Sequence, residues 1–65
     1  MMYCVETYEY DQETASVGQK LTCEWFDTLE DAKAYAEGAD RADIRGTITE
    51  TTGDPEDEGK VIFDF

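Results

Sequence analysis

Carboxylates are the side chains most able to do chemistry in this chain. Asp and Glu number 17 against 5 Lys and Arg, there is no His, and the formal charge is −12. Asp54, Glu56 and Glu58 alternate in a stretch bounded by Gly53 and Gly59, where their oxygens could face a hard cation such as Ca²⁺. The spacing departs from the D-x-[DN]-x-[DN]-G loop and lacks its closing Glu. Weak divalent binding is therefore the most this segment predicts, and no metal site is assigned. Cys4 and Cys23 are too few and too far apart for a disulfide scaffold or a Cys-x-x-Cys zinc site, so reduced thiols in a cytosol are the simplest reading. Cys23 reads as core packing at an inward position, while Cys4 has no base nearby to generate a thiolate and neighbouring carboxylates that oppose one. Paired carboxylates could in principle do acid–base work, but a chain this short predicts no cleft for them. The sequence reads as non-enzymatic, with no cofactor.

The charge also limits partners. Gripping phosphates, or an anionic membrane surface, needs a surplus of Lys and Arg on at least one face. Direct nucleic-acid and membrane binding are both disfavoured. Hydrophobic residues make up 40% of the chain and aromatics 12%, which is too apolar for a disordered acidic segment. A folded chain is expected, as one domain over residues 1–65 that buries about 60% of its unfolded surface. Met1-Met2-Tyr3-Cys4-Val5-Glu6 has no basic region or apolar run of the secretory kind, and no stretch approaches membrane-spanning length, so a cytoplasmic location is expected.

The elements that must position these groups follow from periodicity. Residues 2–10 and 19–26 are rich in strand formers and alternate, joined by the polar stretch from Asp11 to Gly18, which predicts a hairpin with a long loop. Setting Val5 opposite Cys23 gathers Tyr3, Val5, Leu21, Cys23 and Trp25 on one face and puts Cys4 on the other. A slip of one residue would bring Cys4 to the side of Cys23, and alternation alone leaves that register open. Thr28 is placed as N-cap of a short helix with Asp31 in capping-box position, Leu29, Ala32, Tyr35 or Ala36, and Ala39 near helical spacing, and Gly38 as the C-cap. Alanines on the inner side predict a helix lying close on a sheet, with Trp25 and Tyr35 filling the remaining space. Residues 44–51 and 60–65 read as a third and a fourth strand around a glycine-bounded link. The expected fold is α+β, in the order ββαββ, with one helix on one face of a four-stranded antiparallel sheet.

That topology gives the charge a location. Strand 2 ends where the helix begins, and strand 3 ends in the second turn at the same end. Asp27, Glu30 and Asp31 should then lie near Asp54, Glu56, Asp57 and Glu58, with no Lys or Arg among the seven. The other end collects Glu9, Asp11, Glu13, Glu37, Asp40 and Asp43, diluted by Lys20 and Arg41. Alternate strand residues such as Glu6 with Tyr8, or Glu24 with Thr22, are roughly 6.6 Å apart, so carboxylates on a sheet have regular spacing. A globule of this length is about 28 Å across, where duplex DNA carries about 16 phosphates. The net charge is of the same order.

Small size, extreme acidity, the absence of His and enzyme motifs, and a ββαββ layout together resemble the small anti-CRISPR proteins of phages and mobile elements, particularly the DNA mimics that include inhibitors of type I systems. The resemblance spans the whole chain in size, charge and layout and contains no sequence motif, so it carries over no individual residue. It implies a stoichiometric inhibitor occupying a basic nucleic-acid groove on a Cascade-type effector subunit. On this reading Asp27, Glu30, Asp31, Asp54, Glu56, Asp57 and Glu58 are the partner-binding residues, with Glu6, Tyr8, Tyr10 and Glu24 secondary. Two blander readings stay open: solvated charge that maintains solubility, and adaptation to a salty cytosol. A different function is also open, that of an assembly module recognised through aromatic residues on the sheet face away from the helix. Tyr8, Tyr10, Phe26 and Ile62 are placed there unless the register puts some of them in the core, and the chain would be a monomer or a weak homodimer.

Overall fold

A computed structural model describes residues Met1 to Phe65. Strands β1 (Met2–Asp11) and β2 (Ser16–Phe26) precede helix α1 (Leu29–Ala39), and β3 (Ile44–Thr51) and β4 (Lys60–Asp64) follow it. This is the expected α+β order. One antiparallel sheet has the strand order β2-β1-β3-β4, so the two hairpins join through their first strands, β1 and β3. The first hairpin is tighter than its polar link suggests. Its turn is only Gln12 to Ala15, Ala15 takes a left-handed φ of 54°, and Asp11 Oδ1 accepts from the Glu13 amide at 2.9 Å. Short polar side chains bonding the backbone two residues on are a common way to close such turns.

Thr28 caps the helix as expected, its hydroxyl accepting from the Asp31 amide at 3.2 Å. Gly38 does not end it. The helix runs through Gly38 to Ala39 and is capped by Asp40 in an extended conformation, because Gly38 keeps ordinary helical geometry. Ala32 and Ala36 are buried, and lie against Val5 and Ile48, which are fully buried and directly opposite one another in β1 and β3. Small helix residues let the backbone approach the sheet closely, leaving the volume to be filled by the strands. Tyr3, Phe26, Leu29, Tyr35, Ile62 and Phe65 close the periphery of this core.

The register of β1 and β2 corrects the face assignment. Val5 pairs with Glu24 rather than Cys23, while Cys4 pairs with Trp25 and Glu6 with Cys23. Phe26 therefore points to the helix, its ring 5.4 Å from that of Tyr35, and Trp25 does not fill that space. Trp25 lies on the open face and is 53% exposed. Leu21 and Cys23 are also exposed, whereas Cys4 is buried. Ile62 likewise belongs with the core, at an irregularity where β4 carries one extra residue between Val61 and Phe63. An extra residue breaks the alternation by which faces are assigned. Of the four side chains placed on the open face, Tyr8 and Tyr10 remain there and Phe26 and Ile62 do not. No helix is long and apolar enough to cross a membrane.

Candidate functional site

The two acidic segments leave the same end of the sheet. Phe26, the last residue of β2, pairs with Tyr3, and Thr51, the last residue of β3, pairs with Met2. With strands about 4.8 Å apart, the entry to α1 at the end of β2 and the start of the β3–β4 loop at the end of β3 are two strand spacings, about 10 Å, apart. Asp27, Glu30 and Asp31 are exposed around the helix N-terminus, where the positive end of the helix dipole favours negative charge. Asp54, Glu56, Asp57 and Glu58 are exposed in the loop. None of the seven forms a salt bridge, since the chain's one ion pair is Lys20 with Glu6.

The loop carboxylates divide into two kinds. Asp57, though exposed, bonds its own loop: Oδ2 accepts from the Thr52 amide at 2.8 Å, the Thr52 hydroxyl at 2.9 Å and the Thr51 hydroxyl at 3.4 Å, and Oδ1 accepts from the Gly59 amide at 2.9 Å. Those donors, the two backbone amides first, hold the Asp57 carboxyl down to about 2. Asp54 Oδ1 is occupied in the same manner by the Glu56 amide at 2.9 Å. Gly53 and Gly59 take positive φ values of 87° and 77°. A side chain on Gly59 would also meet Thr49 Cγ2 at 2.7 Å. Glu56 and Glu58 are left with their carboxylates unbonded on a loop whose backbone is pinned beneath them. Asp57 lies beside them at the surface, but its oxygens are occupied by the loop's own donors.

At the far end Lys20 is not the diluting cation; the Arg45 guanidinium, over the Tyr10 ring, stands beside that end. Lys20 Nζ lies 3.0 Å from Glu6 Oε2 in the middle of the open face. The secondary residues separate accordingly. Glu6, Tyr8 and Tyr10 share the open face, with Tyr8 donating to Glu6 Oε2 at 2.6 Å and the Arg45 guanidinium 4.2 Å from the Tyr10 ring centre. Glu24, opposite Val5, points to the helix side. The Tyr8 hydroxyl and Lys20 hold the Glu6 carboxyl below its usual range, and the bond to Glu6 raises the Tyr8 hydroxyl.

A second cluster lies on this face, in the register that alternation left open. Cys4 Sγ and Cys23 Sγ are 3.0 Å apart, and Cys4 Sγ is 3.7 Å from Glu6 Oε1. Burial, and then the neighbouring Cys23, push the Cys4 thiol up to about 12, so it is no nucleophile at neutral pH. The signal that was available is Cys4-x-Glu6 on one strand combined with the one-residue slip that carries Cys23 to the same face. Compared with known proteins, the chain matches no family model, no curated protein and no solved structure.

Proposed function

We propose that this protein is a non-enzymatic inhibitor that competes with nucleic acid for a basic groove on another protein, as DNA-mimic anti-CRISPR proteins do, with a subunit of a type I CRISPR effector as the target class. The observation that supports this reading is the convergence of two acidic segments, without a paired cation, at one end of a pinned scaffold. The dimensions refine the comparison with DNA. The molecule is elongated, 37 × 24 × 16 Å, rather than a 28 Å globule. Twelve net charges over that length amount to about one per 3 Å, which matches one strand of a duplex at ~3.4 Å per phosphate more nearly than both strands together.

The test is displacement of fluorescent DNA from a purified type I effector complex, comparing the wild type with the triple variant Glu30→Lys, Glu56→Lys and Glu58→Lys. These positions spare Asp57, whose replacement would disturb the loop itself. Inhibition that weakens steeply with salt, and by tenfold or more in the triple variant, is the expected result. Displacement unchanged by the triple reversal rejects the acidic end as the interface. An assembly module using the open face is the second reading, supported by the uncovered Trp25. It requires Trp25→Ala to impair partner binding more than the triple reversal does, with little dependence on salt.

A further inference from the structure

We propose that Cys4, Cys23 and Glu6 form a binding site for a single thiophilic divalent cation of the Zn²⁺ class on the open face of the sheet. The site is independent of the acidic end and of the inhibitor reading. One ligand atom from each residue, two sulfurs and a carboxylate oxygen, lies within 4.8 Å of the others. Cys4 and Glu6 lie on the interior strand β1 and Cys23 on the adjacent edge strand β2, where the backbone hydrogen bonds of the pair fix their relative positions.

The register favours a cation over a disulfide. Cys4 pairs with Trp25, and Cys23 pairs with Glu6, so the two cysteines are diagonal neighbours. Diagonal neighbours in an antiparallel pair are typically about 7–8 Å apart at Cα, beyond the roughly 4.4–6.8 Å that a disulfide bridges without backbone movement. Thiolates on a tetrahedral Zn²⁺, at Zn–S distances of about 2.3 Å, stand about 3.8 Å apart. From the observed 3.0 Å this asks for a small opening of two side chains rather than a movement of two strands.

Glu6 has the arrangement of a supported metal ligand. Its Oε2 is held by Lys20 Nζ at 3.0 Å and the Tyr8 hydroxyl at 2.6 Å, while Oε1 is directed to the Cys4 sulfur. Outer partners of this sort orient a ligating carboxylate, and the Lys20 charge offsets one of the three negative charges assembled there. Two sulfur donors select Zn²⁺ over Mg²⁺ or Ca²⁺, whose preference is for oxygen alone. Cys23 is exposed, so the cation can enter from that side and a water can complete the fourth position. Binding replaces two S–H bonds by two S–Zn bonds and releases both protons to solvent, with no change of oxidation state.

The experiment titrates the full chain, kept reduced, with Co²⁺ as spectroscopic probe and then with Zn²⁺ against a chromophoric chelator. One Co²⁺ per chain should give a thiolate-to-metal charge-transfer band that Zn²⁺ abolishes by displacement. Co²⁺ held by surface carboxylates gives no such band. Cys23→Ser should remove it, and Glu6→Gln should weaken Zn²⁺ binding about tenfold or more, with far-UV circular dichroism unchanged in both. The absence of the band in the wild type overturns the proposal, as does unaltered affinity in either variant. So does closure of a Cys4–Cys23 disulfide by oxidised glutathione, read as the loss of two hydrogens in mass, when saturating Zn²⁺ is present.

Discussion

Replacing Gly46 by alanine should displace the Phe65 ring and destabilise the fold by about 1–2 kcal/mol. Gly46 and Phe65 exchange two backbone hydrogen bonds, each 3.0 Å long, which extends the β3–β4 pairing past the end of β4. The ring of Phe65 lies over the glycine, so that a Cβ there would sit 2.2 Å from Cζ and 2.7 Å from both Cε atoms. Carbon atoms pack at about 3.5–4.0 Å, so the ring must retreat by more than about 1 Å. Moving it uncovers one edge of the core of Val5, Ala32, Ala36 and Ile48. Forcing an added carbon into a filled site costs roughly 1–3 kcal/mol, and alanine recovers about 0.5–1 kcal/mol over glycine in a strand, which leaves about 1–2 kcal/mol. In a domain of this size each kcal/mol lowers Tm by about 4–8 °C. Urea unfolding followed by circular dichroism on Gly46→Ala, Phe65→Ala and the double variant isolates the cause. With the ring already removed, the alanine should cost nothing or give a small gain. A Gly46→Ala variant as stable as the wild type refutes this account, and so does an equal cost in both backgrounds.

Two further perturbations test the loop and the register. Because its four donors depress the Asp57 carboxyl to about 2, its contribution to stability is present above the ordinary carboxylate range and is lost as pH falls from about 4 through 2. Carboxyl-carbon NMR should show Asp57 titrating below the other aspartates, and Asp57→Ala should speed amide exchange at Thr52 and Gly59 while leaving Val5 and Ile48 protected. Trp25→Ala, on the open face, should cost less than about 1 kcal/mol in urea unfolding, whereas Ile48→Ala should cost about 2–5 kcal/mol; a Trp25 cost equal to that of Ile48 would place the tryptophan in the core.

The element order, the Thr28 cap and the alanine face of the helix were legible because each rests on local signals: one hydroxyl three residues before an amide, and one apolar stripe at helical spacing. The β1–β2 register was not. Residues 21–26 carry apolar or aromatic side chains on both alternations, Leu21, Cys23 and Trp25 on one and Phe26 on the other, so a pattern of period two is satisfied by the larger set. The helix decides otherwise. It starts at Leu29, just beyond Phe26, and it brings Tyr35 back against the ring of Phe26. An irregularity between Thr7 and Tyr8 shifts the pairing again near Leu21. The slip that alternation leaves open, which carries Cys4 to the side of Cys23, is the one the chain adopts, and a separation of 19 residues in sequence becomes a diagonal contact in that register. Within the candidate interface, the element order placed seven carboxylates at one end but gave no means of distinguishing Asp57, which bonds its own loop, from Glu56 and Glu58, which do not.

That distinction bears on why the chain is so acidic. Where this fold uses a carboxylate structurally, it supplies donors: Lys20 and Tyr8 for Glu6, backbone amides for Asp57 and Asp54, and the Glu13 amide for Asp11. Asp27, Glu30, Asp31, Glu56 and Glu58 receive none from a side chain or turn, although an ion pair would have required only one of them to face a lysine. Like charges left unpaired at one end repel one another and oppose compaction, an effect that salt relieves over a Debye length of about 10 Å at 0.1 M. Solubility alone is served by charge spread over the whole surface, with both signs interspersed. Unbonded carboxylates also cover the rest of the surface, Glu9, Glu37, Asp40 and Asp43 at the far end among them; what sets Glu56 and Glu58 apart is a loop backbone held beneath them by Asp54 and Asp57, which fixes the positions at which their charge is presented. Adaptation to salt and presentation to a partner therefore part ways in the triple reversal of Glu30, Glu56 and Glu58: the first makes the variant more stable in dilute buffer with its interactions intact, and the second makes it more stable and inactive.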